Sequence, residues 1–241
     1  MELVSVITPA YNASRTLRRA HASLISQLHH HWEHIIVDDG SSDDTPEVIQ
    51  DLVAEGRVTS ARISNRGIGR ALNVALTLAT GDYVAFLDAD DEYHPDHLSA
   101  HLALMHEHPQ IDLLWGGVEV IANNYEDTMV PNVEAGTGLI PVANCIVQGT
   151  IFGRRHIFLQ HRFTEDRSIW WQDYEFVKRV GLQHVVERFP RATYRYYRNS
   201  GESMVDRIKV EWEKRRDGEV SGRDLMGGIS GICASEAETG A

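Results

Sequence analysis

A chain of 241 residues and 27.1 kDa can bury ~70% of the surface its unfolded form exposes, so a core needs neither disulfides nor structural metals. Lys and Arg number 23 against 35 Asp and Glu, and the resulting negative field argues against general nucleic-acid binding or adhesion to anionic membranes. Cys145 and Cys233 belong to no CxxC or Cys/His run, which excludes a zinc ribbon or disulfide framework and leads to the expectation of a reducing, cytoplasmic setting. No apolar run approaches the ~18 residues of a membrane helix, and the first residues lack a basic region, so neither a transmembrane segment nor a signal peptide is expected.

The first half alternates short apolar runs with helical-period stretches, the pattern of β-α-β units around a mostly parallel sheet. Val4 to Thr8 reads as a strand. Leu17, Ala20, Leu24 and Leu28 then recur at helical spacing over Thr16 to Leu28, and His34 to Val37 forms a second buried strand. Asp44 to Ala54 predicts a helix, Val58 to Ile63 a third strand, Ile68 to Ala79 a further helix and Tyr83 to Leu87 a fourth strand. A helix over Asp96 to His106 and an extended stretch over Asp112 to Ile121 follow, and the pattern loosens from Asn123 to Asn144.

Beyond that, a strand is expected near Ile146 to Phe152, short helices over Arg154 to Gln160 and Asp173 to Val180, and a strand over Thr193 to Tyr197. Charge pairs at i,i+4, such as Arg207 with Glu211, predict a solvated helix over 206–220. The Gly-, Ser- and Ala-rich remainder, 221–241, reads as a flexible tail.

Ligands of an open parallel sheet bind at the carboxyl edge of its strands, where loops and helix N-termini converge. All four strand exits are polar: Thr8-Pro9-Ala10-Tyr11-Asn12, Asp38-Asp39-Gly40-Ser41-Ser42-Asp43, Ser64-Asn65-Arg66-Gly67 and Asp88-Ala89-Asp90-Asp91. The last holds three carboxylates in four residues, which repel unless a cation sits among them or the turn is simply solvated. Such hard oxygen ligands suit Mg2+ or Mn2+ shared with substrate phosphates. In the second exit, Asp43 or Asp44 can cap the next helix while Asp39 binds a ligand. Tyr11 can stack on a base or merely pack.

Two further patterns carry no chemistry. His29-His30-His31 mimics a metal cluster, but consecutive residues point in different directions, so a solvated connector is expected. Gly67-Ile68-Gly69 lacks the third glycine of a dinucleotide fingerprint.

Together, the stretch Val4 to Asn12, Val37 to Thr45, Asn65 to Asn73 and Gly81 to Asp91 resembles successive blocks of glycosyltransferase family 2. The resemblance is clearest over residues 3 to 95 and runs more weakly to about 205. It implies a GT-A fold over 1–205, with a nucleotide-sugar half (1–110) and an acceptor half (111–205). It further implies a nucleotide-sugar donor, most commonly a UDP-sugar, an acceptor hydroxyl on a glycan or other molecule, Mn2+ or Mg2+, and inversion at the anomeric carbon. By the family pattern Pro9 and Tyr11 line the base pocket, Asp39 contacts the base, Asp88 lies near the ribose, Asp90 and Asp91 hold the metal, and Arg70 faces the donor. Trp170-Trp171-Gln172-Asp173-Tyr174-Glu175-Phe176 resembles the block that carries the catalytic base, with Asp173 matching and Gln172 departing from the usual Glu.

Asp173 in the first turn of a helix can equally serve as a cap, and the Trp170-Trp171 pair suits either a sugar face or the core. The closing segment from Tyr194 to Ser203 has Tyr197 where the family often has a metal-binding His, which leaves Arg198 as the expected diphosphate contact. Two other readings stand beside a transferase: a nucleotide-sugar or glycan binding module without turnover, and an aspartyl phosphatase using Asp88 and Asp90.

Overall fold

The computed structural model describes residues 2–136 and 138–198. β1 (Val4–Ala10), α1 (Leu17–Ile25), β2 (Trp32–Asp38), α2 (Thr45–Glu55), β3 (Val58–Arg62), α3 (Ile68–Leu78) and β4 (Tyr83–Phe86) alternate strictly, as the periodicity predicts. Then come β5 (Glu92–Tyr93), α4 (His97–Glu107), β6 (Leu113–Trp115), β7 (Val118–Ile121), β8 (Met129–Pro131) and β9 (Leu139–Pro141). The described chain closes with β10 (Phe152–Arg154), α5 (Arg155–Gln160), α6 (Gln172–Gly181), β11 (Val186–Arg188) and β12 (Tyr194–Tyr197).

Seven described strands form one sheet in the order β11-β6-β10-β4-β1-β2-β3. β1, β2, β3 and β4 run parallel. β10 is antiparallel to both β4 and β6, so the sheet is mixed at that point. Strand period 2 sends alternate side chains to opposite faces. Val4 and Val6 of β1 and Tyr83 and Ala85 of β4 therefore pack with Ala20, Leu24, Leu98 and Leu102 of α1 and α4. Ile7, Val84 and Phe86 face the other way, onto Leu72, Ala75 and Leu76 of α3 and Phe176 of α6. With both faces covered, these strands are apolar throughout, which is why they are legible as runs rather than as alternations.

A smaller sheet, β5-β12-β7, stands against the first face. The stretch expected to be extended over 112–121 is split between the two sheets by Gly116 and Gly117, with φ of 102° and 85°. A Cβ on Gly117 would lie 1.8 Å from the Arg191 carbonyl oxygen, so both the turn and the close approach demand glycine. The strand expected near Ile146 to Phe152 is instead a 3-10 turn over Gln148–Thr150 followed by β10. Hydrogen bonds from Thr150 Oγ1 to the Val147 carbonyl and from Gly116 N–H to Thr150 Oγ1 hold that turn. The loosely patterned stretch from Asn123 to Asn144 contains the hairpin β8–β9. No helix among the described residues is long and apolar enough to cross a membrane. The helix expected over 206–220 and the tail over 221–241 lie outside the described residues.

Candidate active site

Ala10 of β1 pairs with Asp38, and Ile7 pairs with Phe86, so the exits of β2 and β4 flank that of β1 at one edge of the sheet. With neighbouring strands ~4.8 Å apart and Asp39 two positions further along the edge, the Asp39 and Asp88 backbones stand roughly 12 Å from each other. The first two exits are laced together. Asn12 N–H donates to Ser41 Oγ at 2.9 Å, Ala13 N–H to Thr45 Oγ1 at 2.7 Å and Ser14 N–H to Asp43 Oδ2 at 3.1 Å. Although burial raises the Asp43 carboxyl, the bonds it accepts from Ser14 and Thr45 outweigh that and bring it down to about 2. The expected capping role therefore falls to Asp43. Between the laced loops, Tyr11 stands out with its side chain 52% exposed, and Pro9, half-buried on β1, precedes it.

Asp39 is buried, and its carboxylate closes the loop before α3: Oδ1 accepts the Arg66 N–H at 2.7 Å and Oδ2 the Gly67 N–H at 2.8 Å. Gly40, at φ 76°, brings the two loops so close that a Cβ would meet the Asn65 nitrogen at 2.8 Å. Tyr11, Asp39 and residues 64–67 thereby lie together at this edge. Arg70 is turned to the outside, where it pairs with Glu165 at 3.2 Å. Asn73, on the same helix, holds the segment after α5 by bonds with the Phe163 N–H and carbonyl at 3.0 and 2.9 Å.

The three aspartates after β4 occupy different environments. Asp90 is exposed, and its carbonyl accepts a bond from Arg19 of α1. Arg19 also pairs with Glu92 at 3.1 Å and lies 3.8 Å above the Tyr197 ring, so a cation that sequence periodicity does not flag braces this loop. Asp88 is half-buried, and burial, with the charges of Asp90 and Asp173 beside it, pushes its carboxyl up to about 7. Asp91 is fully buried. Its Oδ2 accepts the Tyr194 hydroxyl at 2.7 Å and its Oδ1 the Tyr197 N–H at 2.8 Å. Asp91, expected at the metal, thus gives each of its oxygens one partner in β12 and is turned toward that strand.

Tyr194 also accepts the Asp88 N–H at 3.2 Å, making its hydroxyl the joint between β12 and the acidic loop. Arg198, expected at a diphosphate, is only 3% exposed and donates through Nε to the Asp127 carbonyl at 3.2 Å.

Asp173 lies in the first turn of α6, and its charge is felt at Asp88. Burial pushes its carboxyl up to about 6, against the opposing pull of backbone N–H groups of Tyr174, Asp173 itself and Gln148. Trp170 and Trp171 pack edge to face at 5.0 Å. The nearby Cys145 thiol is pushed up to about 11 by burial and the Asp173 charge, which leaves it un-ionised and a poor nucleophile. His29 binds the Glu2 and His31 carbonyls through Nε2, the connector expected of that run.

The sequence model of Glycosyl transferase family 2 matches residues 5–163. The chain belongs to that family. It is 33% identical over 122 residues to UDP-Glc:alpha-D-GlcNAc-diphosphoundecaprenol beta-1,3-glucosyltransferase WfgD of Escherichia coli, covering 51% of this chain and 48% of WfgD. The structure of residues 1–349 of S. aureus TarS in complex with UDP-GlcNAc superposes with a TM-score of 0.66 at 22% identity, covering 86% of this chain and 61% of that one. The mannosyltransferase PcManGT from Pyrobaculum calidifontis, solved with GDP-Man and Mn2+, gives 0.65 at 18% identity, covering 88% and 60%. The fold is therefore that of GT-A glycosyltransferases, as the family resemblance implies. The chain spans about half the length of the curated relatives it matches first.

Proposed function

We propose that this chain transfers a sugar, with inversion, from a nucleoside-diphosphate donor, in the first instance a UDP-sugar, to an acceptor hydroxyl. The observation that carries the reading is convergence. Asp39 and the acidic loop share one sheet edge, and Asp173, contributed from a helix some eighty positions later, perturbs Asp88 there. In this reading the base lies at the edge shared by Tyr11 and Asp39, with Pro9 beneath it, and the ribose lies toward Asp88. Arg70, paired outside with Glu165, has at most an indirect part.

In this reading the acidic loop also takes a divalent cation. Asp88 and Asp90 would supply hard oxygens, and the Asp88 carboxyl, raised first by burial and then by the charges of Asp90 and Asp173, would be relieved by a cation beside it. Asp90, with Asp88, would hold Mn2+ or Mg2+, and the ion would neutralise charge developing on the departing diphosphate.

Asp173 acts as general base. A carboxyl near 6 is ionised at neutral pH yet basic enough to take a proton from an acceptor hydroxyl as its oxygen attacks the anomeric carbon.

Thermal shift with UDP, GDP, dTDP and CMP, each with and without Mn2+, tests the donor site, since a ligand at a hundred times its Kd stabilises by about 2.7 kcal/mol. UDP-glucose and UDP-N-acetylglucosamine, offered with a short-chain alkyl α-N-acetylglucosaminyl diphosphate, then test transfer. A flat panel combined with no donor hydrolysis refutes the reading.

A further inference from the structure

Gln148 opens the 3-10 turn that packs against β4. Its side chain is 4% exposed, and both Oε1 and Nε2 are enclosed without a hydrogen-bond partner among the described residues. A buried carboxamide is costly unless its donor and its acceptor are both satisfied, and an unsatisfied one calls for an explanation, of which a ligand that completes the site is one. The surroundings of Gln148 are the reacting groups. Its backbone N–H pulls the Asp173 carboxyl down, which places the two side by side. The next residue, Gly149, lies so flat on Tyr194 that a Cβ would stand 2.0 Å from the ring carbon bearing the hydroxyl. That hydroxyl holds Asp91 and the Asp88 backbone. Gln172, immediately before Asp173, is likewise 4% exposed, with its Oε1 unpartnered among the described residues.

We infer that the Gln148 carboxamide, with that of Gln172 next to Asp173 in the chain, reads adjacent hydroxyls of a pyranose in the reaction cleft. An amide presents one donor and one acceptor side by side, the complement of a vicinal diol, whose hydroxyls each donate and accept. Its neutrality matters as much as its pattern. A Lys or Arg in this place would hold the Asp173 carboxyl down and weaken it as a base, whereas an amide orients a sugar without altering the charge. The inference rests on the glycosyl-transfer reading, and the sugar it reads belongs either to the donor or to the acceptor.

The test is Gln148→Met, nearly isosteric and apolar. Replacing an unpaired amide with an apolar side chain leaves Tm equal or higher, while the missing hydrogen bonds to the sugar lower kcat/KM for transfer by roughly 100-fold. UDP binding in the presence of Mn2+, measured by calorimetry, stays at the wild-type value and shows that the fold and nucleotide site are intact. If hydrolysis of UDP-glucose or UDP-N-acetylglucosamine without acceptor falls in step with transfer, the sugar read is the donor's. If hydrolysis is unchanged and only transfer falls, it is the acceptor's. Transfer and hydrolysis both at wild-type rates overturn the inference, as does a lowered Tm with weakened UDP binding, which would make Gln148 a structural prop. Failure of the underlying reading is seen separately, in wild-type protein that neither binds UDP nor consumes any donor.

Discussion

Removing one oxygen atom, in Tyr194→Phe, should loosen the acidic loop without disturbing the packing around it. The ring is fully buried, and the substitution leaves its packing on Tyr93 and Gly149 in place. What disappears is a hydroxyl that donates to Asp91 Oδ2 at 2.7 Å and accepts the Asp88 N–H at 3.2 Å. A hydrogen bond to a carboxylate contributes ~1.5–3 kcal/mol, and an orphaned buried donor costs ~1–3 kcal/mol. The two do not add in full. The Asp91 carboxyl is already raised well above the usual carboxylate range by burial and by the charges of Asp90 and Asp88, so it can relax by holding a proton. A net loss of ~2–4 kcal/mol, at ~2–4 °C per kcal/mol for a domain of this size, lowers Tm by roughly 5–15 °C. Scanning calorimetry of both proteins without ligand at pH 7 measures it directly, and UDP affinity with Mn2+ should weaken in parallel as the loop shifts. A Tm within about 1 °C of wild type, smaller than a single ordinary hydrogen bond would produce, refutes the claim that this hydroxyl joins the two sheets.

Gly149→Ala should act on the same joint, since its Cβ would press on the Tyr194 ring and hydroxyl. In urea denaturation, the Gly149→Ala/Tyr194→Phe pair should therefore cost clearly less than the sum of the singles, and strict additivity would uncouple them. Asp173→Asn should abolish transfer while stabilising the fold at alkaline pH. The folded carboxyl is raised to about 6 from 3.8, so the folded chain keeps a proton that the unfolded chain gives up, and this stability is lost as pH rises through about 6. The variant's Tm should accordingly exceed wild type at pH 8 and converge with it toward pH 4; a gap independent of pH would contradict the burial of the carboxylate. Asp39→Asn offers one acceptor where two N–H groups, from Arg66 and Gly67, now bond. UDP affinity measured by calorimetry should fall at least tenfold, equivalent to ~1.4 kcal/mol, and an unchanged Kd would remove Asp39 from the nucleotide site.

The alternation of buried strands and amphipathic helices in residues 4–86 was determined by local chemistry. Apolar period and turn residues dictate each element, and the rule that parallel strands expose ligand loops at their carboxyl edge located the acidic exits before any coordinates. Asp43 as a cap follows from similarly local bonds, both from Thr45. Other features have no local signal. Asp88, Asp90 and Asp91 look alike in the chain, yet one is raised by burial and by the charges of Asp90 and Asp173, one is exposed and one is turned inward. That sorting is done by Tyr194 and Tyr197 from strand β12, over a hundred residues away. The placement of β12 at the centre of a second sheet depends in turn on Gly116 and Gly117 redirecting the chain.

Gln148 reads as an ordinary polar residue until the packing of its turn on β4 shuts its amide away from water. The physical reason for the division is range. Backbone preference and hydrophobic period act over a few residues and are written in order along the chain. The orientation of a carboxylate and the cost of a buried amide are set by atoms that meet only when distant segments are brought together, so those were decided by the tertiary structure alone.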